Sequence, residues 1–236
     1  MARVLVLREE GAARQTARQL LALGHEPRLL PLEIVVRLEE GPPTSSFDGF
    51  VVTSAQAVPA MAEAFARDML PVFAVGEATG AALRAAGFAN VHAGSGEASF
   101  LPRLVGTVLG QPSGGARLLY AAGRNRSGSL EAAVAGTSLR LSTWEVYDVV
   151  RRVPGKTEFE DCFGVDGTNG ADAALILSQA QAAAFQDCVA PYLGADVNKI
   201  RLLCLSGRIA EALMPELRSQ AEISDRPKLV SLFEQL

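Results

Sequence analysis

Hydroxyl, amide and guanidinium groups collect at a few places in this sequence where a short apolar run gives way to a polar turn. Val51-Val52 leads into Thr53-Ser54, and Ala74-Val75 leads into Gly76-Glu77-Ala78-Thr79. Each reads as a strand turning into a helix. Such a corner leaves unpaired backbone N–H groups at the helix start beside one or two hydroxyls, a combination that attracts anions. Helix capping alone accounts equally well for Thr53 and Ser54. The loop Ala121-Ala122-Gly123-Arg124-Asn125-Arg126-Ser127-Gly128-Ser129 adds charge to the same geometry. Its Gly-rich turn around Gly123 and the guanidinium forks of Arg124 and Arg126 suit carboxylates or phosphates, although a merely solvated loop has the same composition. Tyr147, in Glu145-Val146-Tyr147-Asp148, places a phenol on a β-rich run, where packing is the plainer role.

Other chemistries are poorly supplied. Cys162, Cys188 and Cys204 are widely spaced and form no C-x-x-C pair, and His25 and His92 are the only histidines. Neither a disulfide framework nor a metal site is suggested, and a Ser-His-Asp site lacks material. Gly94-Ser95-Gly96-Glu97-Ala98-Ser99 covers only part of a dinucleotide fingerprint, and no G-x-x-x-x-G-K-[ST] phosphate loop exists. Cofactor-free chemistry is the expectation. The formal charge of −4 argues against nucleic acid as a partner. The excess of 19 Arg over 3 Lys fits bidentate anion recognition or a GC-rich codon bias, so only the placement of individual arginines is informative.

The elements that would position these groups follow from hydrophobic period. Strands are expected at 4–7, 28–32, 49–52, 72–75, 117–120, 138–142, 174–177 and 201–205, with helices between them. Residues 11–23 carry apolar residues at helical spacing and end at Gly24; 54–67 begin at Ser54; 77–86 end at Gly87. This alternation indicates an α/β architecture of parallel sheets flanked by helices. Two further extended runs, 32–38 and 144–153, suit a two-stranded β connection between lobes. With 49% hydrophobic and 20% charged residues, a real core forms and wholesale disorder is excluded. No window approaches the length of a membrane span, and the N-terminal apolar stretch is too short for a signal peptide. The expectation is a cytoplasmic protein.

An internal repeat organises the chain. Residues 3–36 match 117–150 in element order, with Arg28-Leu29-Leu30-Pro31-Leu32-Glu33 over Arg140-Leu141-Ser142-Thr143-Trp144-Glu145. Val51 to Ala57 lies over Ile176 to Ala182, which sets Ser178 opposite the Thr53-Ser54 corner. Ala74 to Thr79 lies over Cys204 to Ile209, which sets Ser206 and Gly207 opposite Gly76 and Glu77. The order A, B, A, B predicts two interwoven lobes, residues 1–36 with 152–236 and residues 37–151.

In this order and spacing, V-x-T-S-x-x-A-V at 51–58, A-V-G-x-x-T-x-x-x-L at 74–83, the strand and Gly-Arg loop at 118–124, and Val146-Tyr147 resemble the uroporphyrinogen-III synthase family over essentially the whole chain. The resemblance implies a two-lobed enzyme that closes the linear tetrapyrrole hydroxymethylbilane to uroporphyrinogen III, inverting ring D and losing water, with no metal or cofactor. It assigns Tyr147 to departure of the ring A hydroxyl, Thr53, Ser54 and Thr79 to the substrate cleft, and backbone amides at the corners to the acetate and propionate groups. Arg124 and Arg126 are added as carboxylate partners on loop composition, and Ser178, Ser206 and Gly207 as counterparts of the first-copy corners in the second copy. That copy departs from the family pattern, with Ile209 where a Thr is common and Ser178-Gln179-Ala180 in place of an S-P-S-like turn. A monomer is expected, with transient hand-over from hydroxymethylbilane synthase. The alternative of another class is a non-catalytic two-lobed protein that binds a tetrapyrrole or small anion.

Overall fold

Strands and helices alternate along most of the computed structural model, which describes residues 1–110, 114–164 and 170–236. Along the chain run β1 (Arg3–Val6), α1 (Glu10–Ala22), β2 (Glu26–Leu29), β3 (Glu33–Arg37), β4 (Gly49–Val52), α2 (Val58–Phe65), β5 (Val72–Ala74), α3 (Glu77–Ala85), β6 (Val91–Ala93), α4 (Leu101–Leu109) and β7 (Arg117–Gly123). There follow α5 (Ser129–Val134), β8 (Arg140–Arg151), α6 (Lys156–Phe163), β9 (Ala173–Ile176), α7 (Gln179–Ala184), α8 (Ala190–Leu193), β10 (Arg201–Cys204), α9 (Gly207–Glu211), α10 (Pro215–Arg218), β11 (Ala221–Ile223) and α11 (Leu229–Phe233).

Local chemistry sets several of these limits. The Glu9 carboxylate accepts from the N–H groups of Gly11 and Ala12, each at 2.8 Å, which starts α1. Gly24, at φ +81°, takes the left-handed conformation that ends it. After Ser54 the chain makes one 3-10 turn, Ala55–Ala57, before α2 begins with Pro59 in its first turn.

The described residues divide into two compact units, Met1–Ile34 with Val150–Leu236, and Val35–Val149. In the first, five parallel strands lie in the order β11-β10-β9-β1-β2. Both faces are covered. Val4 and Val6 pack with α1 and α11 residues such as Leu20 and Leu232, while Leu5 and Leu7 pack on the opposite face with Phe163, Phe185 and Leu202. That is why these strands read as continuous apolar runs instead of alternating ones.

In the second sheet the order is β3-β8-β7-β4-β5-β6. One face buries Phe50, Val52, Met61, Leu83 and Trp144; the other buries Val51, Phe73, Leu101, Tyr120 and Leu130. The two sheets share one plan. Numbered from the A half of the repeat, β2-β1-β9-β10-β11 and β8-β7-β4-β5-β6 are both the doubly wound order 2-1-3-4-5.

Three strand expectations are corrected. The runs at 138–142 and 144–153 are a single 12-residue strand, β8. The repeat explains this, because Pro31, which lacks an N–H, separates β2 from β3 in the first copy, whereas Thr143 stands at that place in the second and the ladder continues. The strand expected at 28–32 instead occupies Glu26–Leu29, ending before Pro31. Edge strands β6 and β11 have three residues each, too short to show a period. The extended segments β3 and β8 are neighbours in one sheet. The Leu38 N–H donates to the Val146 carbonyl and the Arg152 N–H to that of Leu32, so they run antiparallel.

Candidate functional site

Open sheets of this order bind ligands beyond the carboxyl ends of their strands, at the switch point where successive connections leave in opposite directions. In the second unit that point lies between β4 and β7, paired in parallel from Gly49 with Leu118 to Val52 with Ala121. The residues emerging there are Thr53 on one strand and Ala122-Gly123 on the other. The Thr53 Oγ1 lies 3.0 Å from the Tyr120 hydroxyl. Tyr120 is 4% exposed, and burial pushes its phenol above the ordinary range, with Glu131 and Tyr147 acting the same way and the Thr53 hydrogen bond and Arg126 acting against it.

Beside this pair the β7–β8 register slips. Ala122 faces Glu145, but Gly123 faces Tyr147, so Val146 is the extra residue of a bulge. The slip seats the Tyr147 ring on the bare Cα of Gly123, where an added Cβ would lie 2.7 Å from the ring's Cζ and 3.0 Å from its hydroxyl. The Arg124 N–H then donates to the Tyr147 carbonyl at 2.9 Å, continuing the ladder past the strand end.

The two arginines of this loop are held by the protein's own carboxylates. Arg126 pairs with Glu131 at 2.8 Å and Glu145 at 2.9 Å, and its Nη1 also donates to the carbonyls of Gly123 and Arg124. Arg124 pairs with Glu145 at 3.3 Å and Asp148 at 3.5 Å, and Asn125 donates to Asp148 at 2.9 Å. Arg126, then Arg124, hold the Glu145 carboxyl below its usual range. Both guanidinium groups are thereby oriented at the sheet end by three carboxylates, Glu131, Glu145 and Asp148, with Glu145 shared between them. A cavity of about 460 Å³ opens beside them, lined by Glu40, Gly41, Pro43, Arg126, Thr143, Trp144 and Glu145.

The neighbouring corners are tighter. The Ser54 Oγ accepts from the Gln56 N–H at 3.3 Å, a helix cap. Gly76 begins α3 from an extended conformation, and a Cβ there would touch the Cα of Gly96 at 3.4 Å. Thr79, in the first turn of α3, is 7% exposed. In the other unit, Ser178 caps α7 by accepting from the Gln181 N–H at 3.0 Å, and Ser206 and Gly207 form the turn into α9. Ile209 there is as buried as Thr79. The structure thus gathers Thr53, Gly123, Arg124, Arg126 and Tyr147 at one sheet end, with Ser54, Gly76 and Thr79 on the adjoining corners. Tyr120, Glu131, Glu145 and Asp148 are site groups that the sequence motifs do not single out. For Glu145 and Asp148 the signal was their place on either side of Tyr147; Tyr120 gave none beyond its position near a strand end. Among the described residues no group of three or more His, Cys, Asp or Glu side chains could hold a metal ion, and no helix is long and apolar enough to cross a membrane.

A family model described as uroporphyrinogen-III synthase HemD matches residues 14–234. The chain belongs to that family. A solved structure agrees on the fold: uroporphyrinogen-III synthetase from Helicobacter pylori superposes with a TM-score of 0.59 at 15% identity, covering 100% of this chain and 98% of that one. A substituted uroporphyrinogen III synthase from Thermus thermophilus is 18% identical over 100% of this chain and 97% of its own, with a TM-score of 0.46. None of the curated proteins compared matches. Membership of the uroporphyrinogen-III synthase family makes the chain a cyclising enzyme with a small tetrapyrrole as its substrate.

Proposed function

We propose that the chain acts as a hydro-lyase that closes hydroxymethylbilane to uroporphyrinogen III, inverting ring D and releasing one water. The observation supporting the second unit's sheet end as its site is the seat of Tyr147 on Gly123, beside the switch point and within the electrostatic reach of Tyr120. There the phenol donates its proton to the ring A hydroxyl as that group departs, so that hydroxyl and proton leave together as water. The azafulvenium cation left on ring A becomes the azafulvene when its pyrrole N–H returns a proton to the phenolate, and it must be held so that the substituted carbon of ring D attacks, a matter of orientation and of donors fixed in advance.

Thr53, Ser54, Thr79 and the backbone amides at Gly76 and Gly123 hold the substrate's side chains in this reading. Arg124 and Arg126 take substrate carboxylates by exchanging them for Glu145, Glu131 and Asp148. Ser178, Ser206 and Gly207 are the matching corner groups of the other unit and take substrate side chains in the same way. Because hydroxymethylbilane also cyclises unaided to the type I isomer, prompt hand-over from hydroxymethylbilane synthase to a cytoplasmic monomer fits the chemistry. The test supplies fresh hydroxymethylbilane to the purified protein and separates the oxidised porphyrin isomers. Type III in excess of the uncatalysed mixture supports the reading, and type I alone overturns it.

A further inference from the structure

The Tyr120–Thr53 hydrogen bond ties the two strands of the switch point together at their carboxyl ends, through partners 67 residues apart in sequence. Tyr120 is 4% exposed and Thr53, just past the end of β4, is half-buried, so Thr53 is the more accessible partner of the two.

We infer that Tyr120 is a positioning residue: its phenol donates to the Thr53 Oγ1 and turns the Thr53 proton outward, toward an oxygen acceptor on bound substrate. A phenol is the stronger acid and hence the better donor, and a hydroxyl that already accepts one hydrogen bond has its own O–H left to give. Each bond in such a chain polarises the next, which strengthens a donor aimed at a carboxylate. Without Tyr120, Thr53 could rotate about χ1 and offer the proton elsewhere. The role rests on the assignment of Thr53 to the substrate, and it goes beyond that assignment by naming what orients the group.

Tyr120→Phe keeps the ring and removes the hydroxyl. We expect its kcat/KM for hydroxymethylbilane to fall about fivefold, mostly through KM, as for a lost binding interaction of ordinary strength. Thr53→Val should fall about as far, and the double variant no further, because Tyr120 acts only through Thr53. Thr53→Ser should stay near wild type and remain sensitive to Tyr120→Phe. Losses that multiply in the double variant, or a Tyr120→Phe enzyme with wild-type KM, overturn the inference. Should Tyr120→Phe fail to fold, Thr53→Ser decides alone: near-wild-type KM supports the oriented hydroxyl, and a KM as poor as that of Thr53→Val overturns it. Wild-type protein yielding only the type I isomer would instead overturn the functional reading, so the two failures are distinguishable.

Discussion

Gly123 and Tyr147 face each other across the β7–β8 pair with no room for a side chain between them, since a Cβ on Gly123 would lie 2.7 Å from the tyrosine Cζ. Gly123→Ala must therefore displace the ring. We expect turnover to fall by about tenfold or more, as small displacements of a catalytic group do, while the far-UV circular dichroism stays that of the parent. Unchanged kcat in a folded Gly123→Ala protein would detach the Tyr147 position from catalysis.

Tyr147→Phe isolates the hydroxyl from the ring. The ring's packing on Gly123 is retained, so thermal stability should change little, while turnover drops by about a hundredfold, the scale of a lost general acid. Single-turnover formation of type III isomer measures this directly.

The shared carboxylate of Glu145 predicts opposite effects of its removal and of its partner's. Arg126→Ala should raise KM about tenfold with a smaller change in kcat, since a charge-assisted bond to substrate is lost. Glu145→Gln should lower KM by removing the carboxylate that both guanidinium groups share, which leaves Arg126 with Glu131 and Arg124 with Asp148. Steady-state kinetics at two salt concentrations would check both; a Glu145→Gln enzyme with raised KM would place Glu145 on the substrate side instead.

Acid stability should depend on two exposed pairs in the first unit. Arg3 holds the Asp172 carboxyl below its ordinary range, and Arg201 does so for Glu222. A depressed folded value means that the unfolded chain binds the proton first, so the contribution is full above the unfolded carboxylate range and is lost as pH falls through the folded one, below about 4. Urea midpoints at pH 7 and at about pH 3, below the ordinary carboxylate range, should differ less in Asp172→Asn than in the parent. The difference is modest, because both side chains of each pair are at least a third exposed.

Burial pushes the Cys162 thiol up to about 12 and the Cys204 thiol up to about 11. Cys188 is only half-buried, with the Arg151 guanidinium 3.1 Å from its sulfur. A thiol reagent at pH 8 should therefore modify one cysteine quickly in the native protein and the other two only on unfolding. Loss of that first reaction in Cys188→Ser confirms which one it is.

The local elements and their corners are legible in the sequence. Gly24 and Gly87 end helices where expected, β4 spans Gly49–Val52 as its apolar run does, and the Thr53-Ser54 turn follows from a strand meeting a capping residue. These depend on neighbours in the chain, which periodicity and capping chemistry report. Strand order and register depend on partners far away in the chain and emerge only when the sheets assemble. Placing β7 beside β4 brings Tyr120 to Thr53, and a one-residue bulge makes Tyr147, not Val146, the residue opposite Gly123. Hydrophobic period says which face of a strand is buried, but a pairing partner and a slipped register leave no trace in a single strand's residues.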